Sequence, residues 1–306
     1  MYGGIMFNLD EAREFLREVE GFDLDCIFIS KEYELKKALL QENLKNEIIE
    51  NLINRFNKIT KEKNVVEYDP IVKLEDSIDS ISIEDVSKLN LIEENLKAIE
   101  AIEEIQSFDE IYDSRAYVMI LKKDDMNLMF FKKFISSIYL KSKMKLLWLE
   151  GRMERLDKDI ISIDDKFDCV GFSNNLLVIS KPAFEQIFDY KDEYTKKANE
   201  NIEHMNKLSI IKNIELLAME CEKVTIKKKL AKIKKDQIEW FKDQIENNFN
   251  RVEHIIDKAG LDIQVIEGEL NINDVSELIH LIQNDYLKSE IDDENYIADS
   301  KRPIKQ

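Results

Sequence analysis

The residues whose types and spacing could do chemistry are lysines. Between Glu222 and Asp236 the run KVTIKKKLAKIKK contains Lys223, Lys227, Lys228, Lys229, Lys232, Lys234 and Lys235 and no acid. A second acid-free stretch lies between Asp125 and Glu150. It carries Lys132, Lys133, Lys141, Lys143 and Lys145, with Phe130, Phe131, Tyr139 and Trp148 interleaved. Lys301 and Arg302 add a third basic point near the end. Ammonium groups grouped in this way neutralise phosphates whatever the base sequence, and binding of that kind weakens as salt rises. The same pattern also fits an ordinary solvated face balanced by acids elsewhere, and taken alone it favours that plainer reading.

Other chemistries find little support. The glycines are scattered, with no GxGxxG and no GxxxxGK[ST] to cradle a nucleotide. His204, His254 and His280 lie in expected helices without HxxxH spacing, so each reads as a surface or core histidine rather than a ligand. Cys26, Cys169 and Cys221 are odd in number, far apart and set among apolar neighbours. They read as buried, reduced thiols. A restriction-type nuclease needs an acid-x-Lys on a strand to hold a metal over the scissile phosphate. Glu34-Leu35-Lys36 has that spacing but falls where a helix is expected. Neither an enzyme nor a cofactor is expected.

The formal net charge of −18 would ordinarily speak against nucleic acid, but it is unevenly spread. Residues 1–113 hold 28 acids against 13 bases, net −15, and residues 114–306 hold 35 against 32, net −3. No stretch approaches the ~18 apolar residues of a membrane span. MYGGIMFNLDEAREF lacks the basic start of a signal peptide, so a cytoplasmic protein is expected.

The elements that must position the lysines follow from periodicity. An acidic, mainly helical region over 1–113 is expected to precede an α+β domain over 114–306, built as a mostly antiparallel sheet covered by helices. In the first region Asn8 caps a helix that ends at Gly21, and Cys26–Ile29 is a strand. Leu35–Ile59 is one long helix, and Val65–Tyr68 a strand ended by Asp69-Pro70. Residues 71–86 form a weakly patterned connection before a helix over Leu89–Ile105. Strands then run over Arg115–Leu121 and Asn127–Phe131 with a turn at Asp124-Asp125. A short helix over Phe134–Leu140 follows, then a hairpin turning at Glu150-Gly151. A second hairpin turns at Ser173-Asn174-Asn175 and feeds a helix begun near Pro182. Helices over Tyr194–Glu220, Val224–Lys235 and Gln237–Ala259 come next, the last closed by Gly260. A strand pair around Ile263–Ile266 and Leu270–Ile272, a helix over Val275–Gln283 and an extended tail complete the chain.

Four stretches carry a resemblance: LDKDIISIDDKFDCVGFSNNLLVISKPAFEQIF, then YKDEYTKKANENIEHM, LAKIKK, and IQNDYLKSEIDDENYIADSKRPI. Together, over roughly residues 114–304 and with VVEYDP as a weaker echo, they resemble the KwaB family, the B proteins of the Kiwa anti-phage defence system. The resemblance implies a cytoplasmic, non-enzymatic DNA-binding effector that forms homodimers. It implies pairing with a small membrane protein, KwaA, recruitment to the inner face of the membrane, and interference with phage DNA replication and late expression. On that footing the expected DNA contacts are Lys227, Lys228, Lys229, Lys232, Lys234 and Lys235. Lys132, Lys133, Lys301 and Arg302 assist, without base readout. The competing reading is a non-catalytic oligomeric adaptor whose lysines only solvate it.

Overall fold

A computed structural model describes residues 6–17, 21–72, 74–97, 99–134, 145–149, 151–156, 161, 163, 165–266, 268–288 and 295–297. The chain is α+β and divides into two compact units, Met1–Tyr68 with Leu74–Tyr190, and Asp69–Lys73 with Lys191–Gln306.

The first unit runs α1 (Leu9–Phe15), β1 (Asp23–Ser30), β2 (Leu35–Ala38), α2 (Glu42–Thr60), β3 (Asn64–Glu67), β4 (Ser77–Ser82) and α3 (Ser87–Leu96). It continues with β5 (Ser114–Lys123), β6 (Met126–Lys133), β7 (Lys145–Leu149), β8 (Arg152–Leu156), β9 (Cys169–Phe172), β10 (Asn175–Val178) and α4 (Lys181–Ile187). Eight strands form one sheet in the order β2-β1-β5-β6-β9-β10-β4-β3; β3 and β4 are parallel and every other neighbour is antiparallel. The change in charge at residue 113 falls inside this unit, because β1 pairs along β5 and β4 along β10. The hairpin turns follow turn chemistry. Ser173 and Asn174 both take positive φ between β9 and β10, as the tight two-residue turn requires, and Asp124 does so between β5 and β6. Alternate residues of the central strands bury opposite faces. Phe28, Tyr117, Phe130 and Phe172 join Phe15 of α1 and Phe56 of α2 in one core, while Phe131 meets Phe188 with ring centroids 5.3 Å apart on the other face.

Two departures from periodicity have clear causes. Leu35–Ala38 is an edge strand, with α2 starting only at Glu42; pairing with β1, the Lys37 amide donating to the Glu103 carbonyl and the Lys37 carbonyl accepting from the Ile105 amide override the local helical pattern. The weakly patterned stretch before α3 contains β4, buried between β10 and β3. Its polar side chains conceal the strand because they are satisfied inside: Ser80 Oγ accepts from the Phe7 amide at 3.0 Å, and Asp79 pairs with Lys181 at 3.1 Å. The short helix expected over Phe134–Leu140 lies, beyond Phe134, outside the described residues.

The second unit holds α5 (Tyr190–Lys207), α6 (Ile214–Glu220), α7 (Val224–Lys232), α8 (Lys235–Asn247), α9 (Phe249–Ala259), β11 (Ile263–Ile266), β12 (Glu269–Ile272), α10 (Val275–Ile282), β13 (Tyr286–Lys288) and β14 (Asn295–Ile297). The expected helix over Tyr194–Glu220 is broken. Residues 210–213 pair in parallel with β12, and Asn213 brackets Ile272 through Nδ2 to its carbonyl and Oδ1 from its amide. The run over Gln237–Ala259 is likewise two helices parted at Asn248, and Gly260 closes α9 with φ 63°. Among the described residues no helix is long and apolar enough to cross a membrane.

A lysine-rich helix as candidate nucleic-acid interface

Helix α7 exists because Ile226 and Leu230, four residues apart, bury one face against the helical core, with Ile233 buried just beyond. The remaining positions fall to lysines. Lys229 and Lys232 occupy the last turn, where the partial negative charge of the helix terminus favours cations. Asn201 of α5, itself buried, donates through Nδ2 to the Leu230 carbonyl at 2.9 Å and the Ile233 carbonyl at 2.8 Å, so the end of α7 is fixed from outside the helix. The chain then turns at Lys234, whose amide donates to Gln237 Oε1 at 2.9 Å as α8 begins.

The lysines of this run do not form one freely solvated face. Lys227, Lys228, Lys229 and Lys232 are half-buried, and Lys234 and Lys235 are exposed. Lys228 Nζ sits 5.2 Å over the Tyr194 ring, a cation–π placement. Lys229 Nζ lies 3.5 Å from His280 Nε2, and His280 Nδ1 lies 3.1 Å from Asp285 Oδ2. Lys232 Nζ pairs with Asp69 Oδ2 at 2.6 Å, while Asp69 Oδ1 accepts from the amides of Ile71 and Val72. Burial alone would raise the Asp69 carboxyl. The Lys232 hydrogen bond, the two amides and the Lys232 charge outweigh it and hold the group below the usual carboxylate range. Among the described residues Lys227 and Lys235 form no ion pair. Next to this run, the exposed stripe of α8 is acidic, with Asp236, Glu239, Asp243 and Glu246 around Trp240, which is 45% exposed.

The other expected contacts lie elsewhere. Lys132 and Lys133 belong to β6 of the first unit. Lys132 Nζ is 3.5 Å from Asp168 Oδ1, their side chains only 15% and 13% exposed, and the Lys133 amide donates to Asp168 Oδ2 at 2.8 Å. Lys132 also lines a cavity of about 60 Å³ with Leu52, Tyr117, Met119, Phe130 and Phe167. This is the chemistry of a buried ion pair, with little ammonium left for a phosphate. Lys301 and Arg302 lie outside the described residues.

Glu34-Leu35-Lys36, expected on a helix, has its last two residues on β2. Lys36 is nevertheless committed to Glu110 at 2.5 Å, and among the described residues no group of three acids, histidines or cysteines is placed to hold a metal ion. The groups that shape the lysine run, Asn201, Asp69, Tyr194 and His280, carry no local motif. They come from the turn after β3, from α5 and from α10, so spacing within the run could not reveal them.

A family model described as Kiwa protein KwaB-like matches residues 111–292. No curated protein and no solved structure matches the chain. The family match takes in β5 to β10, every helix of the second unit and the lysine run itself. It covers more than half of the sequence, and the chain belongs to the Kiwa protein KwaB-like family.

Proposed function

We propose that, within the Kiwa anti-phage defence role its family implies, this chain is a non-enzymatic, cytoplasmic effector that captures DNA through phosphates. The contacts are Lys227 and Lys235, joined by Lys228, Lys229, Lys232 and Lys234 as their present partners release them. Binding is indifferent to sequence, because ammonium groups on a helix and turn read charge and not base edges. A homodimer doubles the basic surface and converts a weak contact into useful avidity. A KwaA-like membrane protein recruits the effector to the inner face of the membrane, and occupied phage DNA is obstructed in replication and late expression. The supporting observation is the acid-free run from Lys223 to Lys235, held on a helix whose register and end are set by Ile226, Leu230 and Asn201.

A second reading is favoured by the acidic stripe around Trp240. An exposed aromatic ringed by carboxylates suits a basic protein segment, as a non-catalytic adaptor would need. The double variant Lys227→Glu/Lys235→Glu separates the two. The DNA-binding reading expects at least a tenfold loss of affinity for a random duplex with the melting temperature unchanged. Equal affinity in the folded variant would overturn the assignment of the site.

A further inference from the structure

The cavity beside Lys132 in the first unit plays no part in phosphate capture. Its sheet wall is two cross-strand pairs of β5 and β6, Tyr117 opposite Lys132 and Met119 opposite Phe130. Strand alternation directs all four side chains to one face. Ile48, Asn51 and Leu52, three and four residues apart on α2, supply another wall. Phe167 adds a ring whose centroid lies 4.9 Å from that of Phe130, tilted by 56°. Leu52, Tyr117, Met119, Phe130 and Phe167 are all buried, so the floor of the cavity is apolar.

The space, about 60 Å³, is several times what one water molecule needs, and packed interiors hold few voids of that size. Water inside it meets mainly apolar side chains, and displacing poorly bonded water by an alkyl group is favourable. The charges around the cavity balance. Lys132 is paired with Asp168, and at the mouth Lys166 is accompanied by Asp165, both exposed. A ligand that brought in a net charge would upset that balance beside an apolar floor. Asn51 is exposed at the same mouth, and among the described residues its side-chain amide makes no hydrogen bond. It offers one acceptor oxygen and two N–H donors.

We propose that this cavity binds a small uncharged molecule, a short branched alkyl group joined to a carboxamide or a similar neutral head. An apolar cavity of about 150 Å³ takes benzene, about 25 Å³ for each carbon, so this one takes an alkyl group of about three carbons. The alkyl group fills the floor among Met119, Phe130 and Phe167. The head stands at the mouth and exchanges hydrogen bonds with the Asn51 side chain. The site lies in the first unit and is independent of the reading of α7 given above.

The test titrates the full chain with isobutyramide and follows the methyl resonance of Met119, assigned with Met119→Leu. That methyl should shift saturably, while the methyl of Met219, 71% exposed in the other unit, should stay still. Isobutyrate has the same shape with a charge, and acetamide has the same head without the branch. Each should bind about tenfold more weakly or less. Asn51→Ala, at an exposed position, should weaken isobutyramide about fivefold through its lost hydrogen bonds. Ile48→Phe fills the mouth from a half-buried position and should abolish the shift; Asn51→Ala serves alone if that variant fails to fold. No saturable shift at Met119 in wild type would overturn the proposal. Isobutyrate binding as tightly as the amide would overturn the ligand class, and unchanged affinity in folded Asn51→Ala would overturn the site.

Discussion

Asn201 on α5 holds the carbonyls of Leu230 and Ile233 with one amide nitrogen, at 2.9 and 2.8 Å. These are orphan acceptors at the end of the lysine helix, and no water-filled alternative suits a residue so deeply buried. Asn201→Leu keeps the volume and removes both bonds. Leaving buried carbonyls unpaired costs about 1–3 kcal/mol each, so unfolding in urea should shift to a clearly lower midpoint. The ammonium positions of Lys232 and Lys235 should loosen with it, read as faster amide exchange over residues 230–235.

Asp69 neutralises Lys232, and its carboxyl is held below the usual range. The sign follows from linkage: stabilisation by this pair is present above the ordinary carboxylate value and is lost as pH falls through the lowered one. Asp69→Asn should therefore be less stable than wild type at pH 7, and the two should converge in strong acid. The group is only half-buried, so the difference is modest. In the same variant Lys232 is released, and DNA affinity should rise while stability falls.

Arg115 ties the first unit together. It donates to Asp189 Oδ2 at 2.7 Å, to the Ile187 carbonyl at 3.1 Å, to the Lys31 carbonyl at 2.9 Å and to the Tyr33 hydroxyl. Tyr33 and Asp189 both carry positive φ, 69° and 48°, a conformation that costs energy unless the surroundings hold it. Arg115→Met removes the restraint and should destabilise by about 1–3 kcal/mol, read from urea denaturation. Lysine in its place should recover little, since one ammonium cannot make the forked set.

The thiols answer to burial. Desolvation pushes Cys26 up to about 12 and Cys169 well above its ordinary value; Asp25 and Asp168 add to the effect. Native protein at pH 8 should leave both unmodified by a thiol reagent over the time in which urea-unfolded protein reacts at all three positions. Rapid native labelling of Cys26 or Cys169 would contradict the packing of β1 or β9.

Local chemistry carried much of the fold. Ser173-Asn174, Asp124 and Gly260 stand where positive φ is needed, and the pair β11–β12 follows its alternation. Where the fold was hidden, long-range partners were responsible. Ser80 and Asp79 make β4 look like a loop until Phe7 and Lys181 satisfy them. Lys36 and Lys37 read as helix until β1 pairs with them. At the candidate site the charge run was legible, but the state of each lysine was not. Asp69, Tyr194 and His280 reach α7 from positions about 160, 30 and 50 residues away, and a pattern confined to 223–235 contains none of them. Lys132 shows the converse: it sits in an acid-free stretch of sequence, yet Asp168, 36 residues on, pairs with it in space.

The central claim is phosphate capture by α7 and its following turn. It is tested most directly by the affinity of the purified chain for a random duplex and a random single strand across a salt series. The account predicts binding that is indifferent to sequence and falls linearly in log–log form, with a slope of magnitude about 2 or more for the lysines offered by one chain. No binding even at low salt would contradict it and leave the adaptor reading, with the acidic stripe around Trp240 as the surface to pursue.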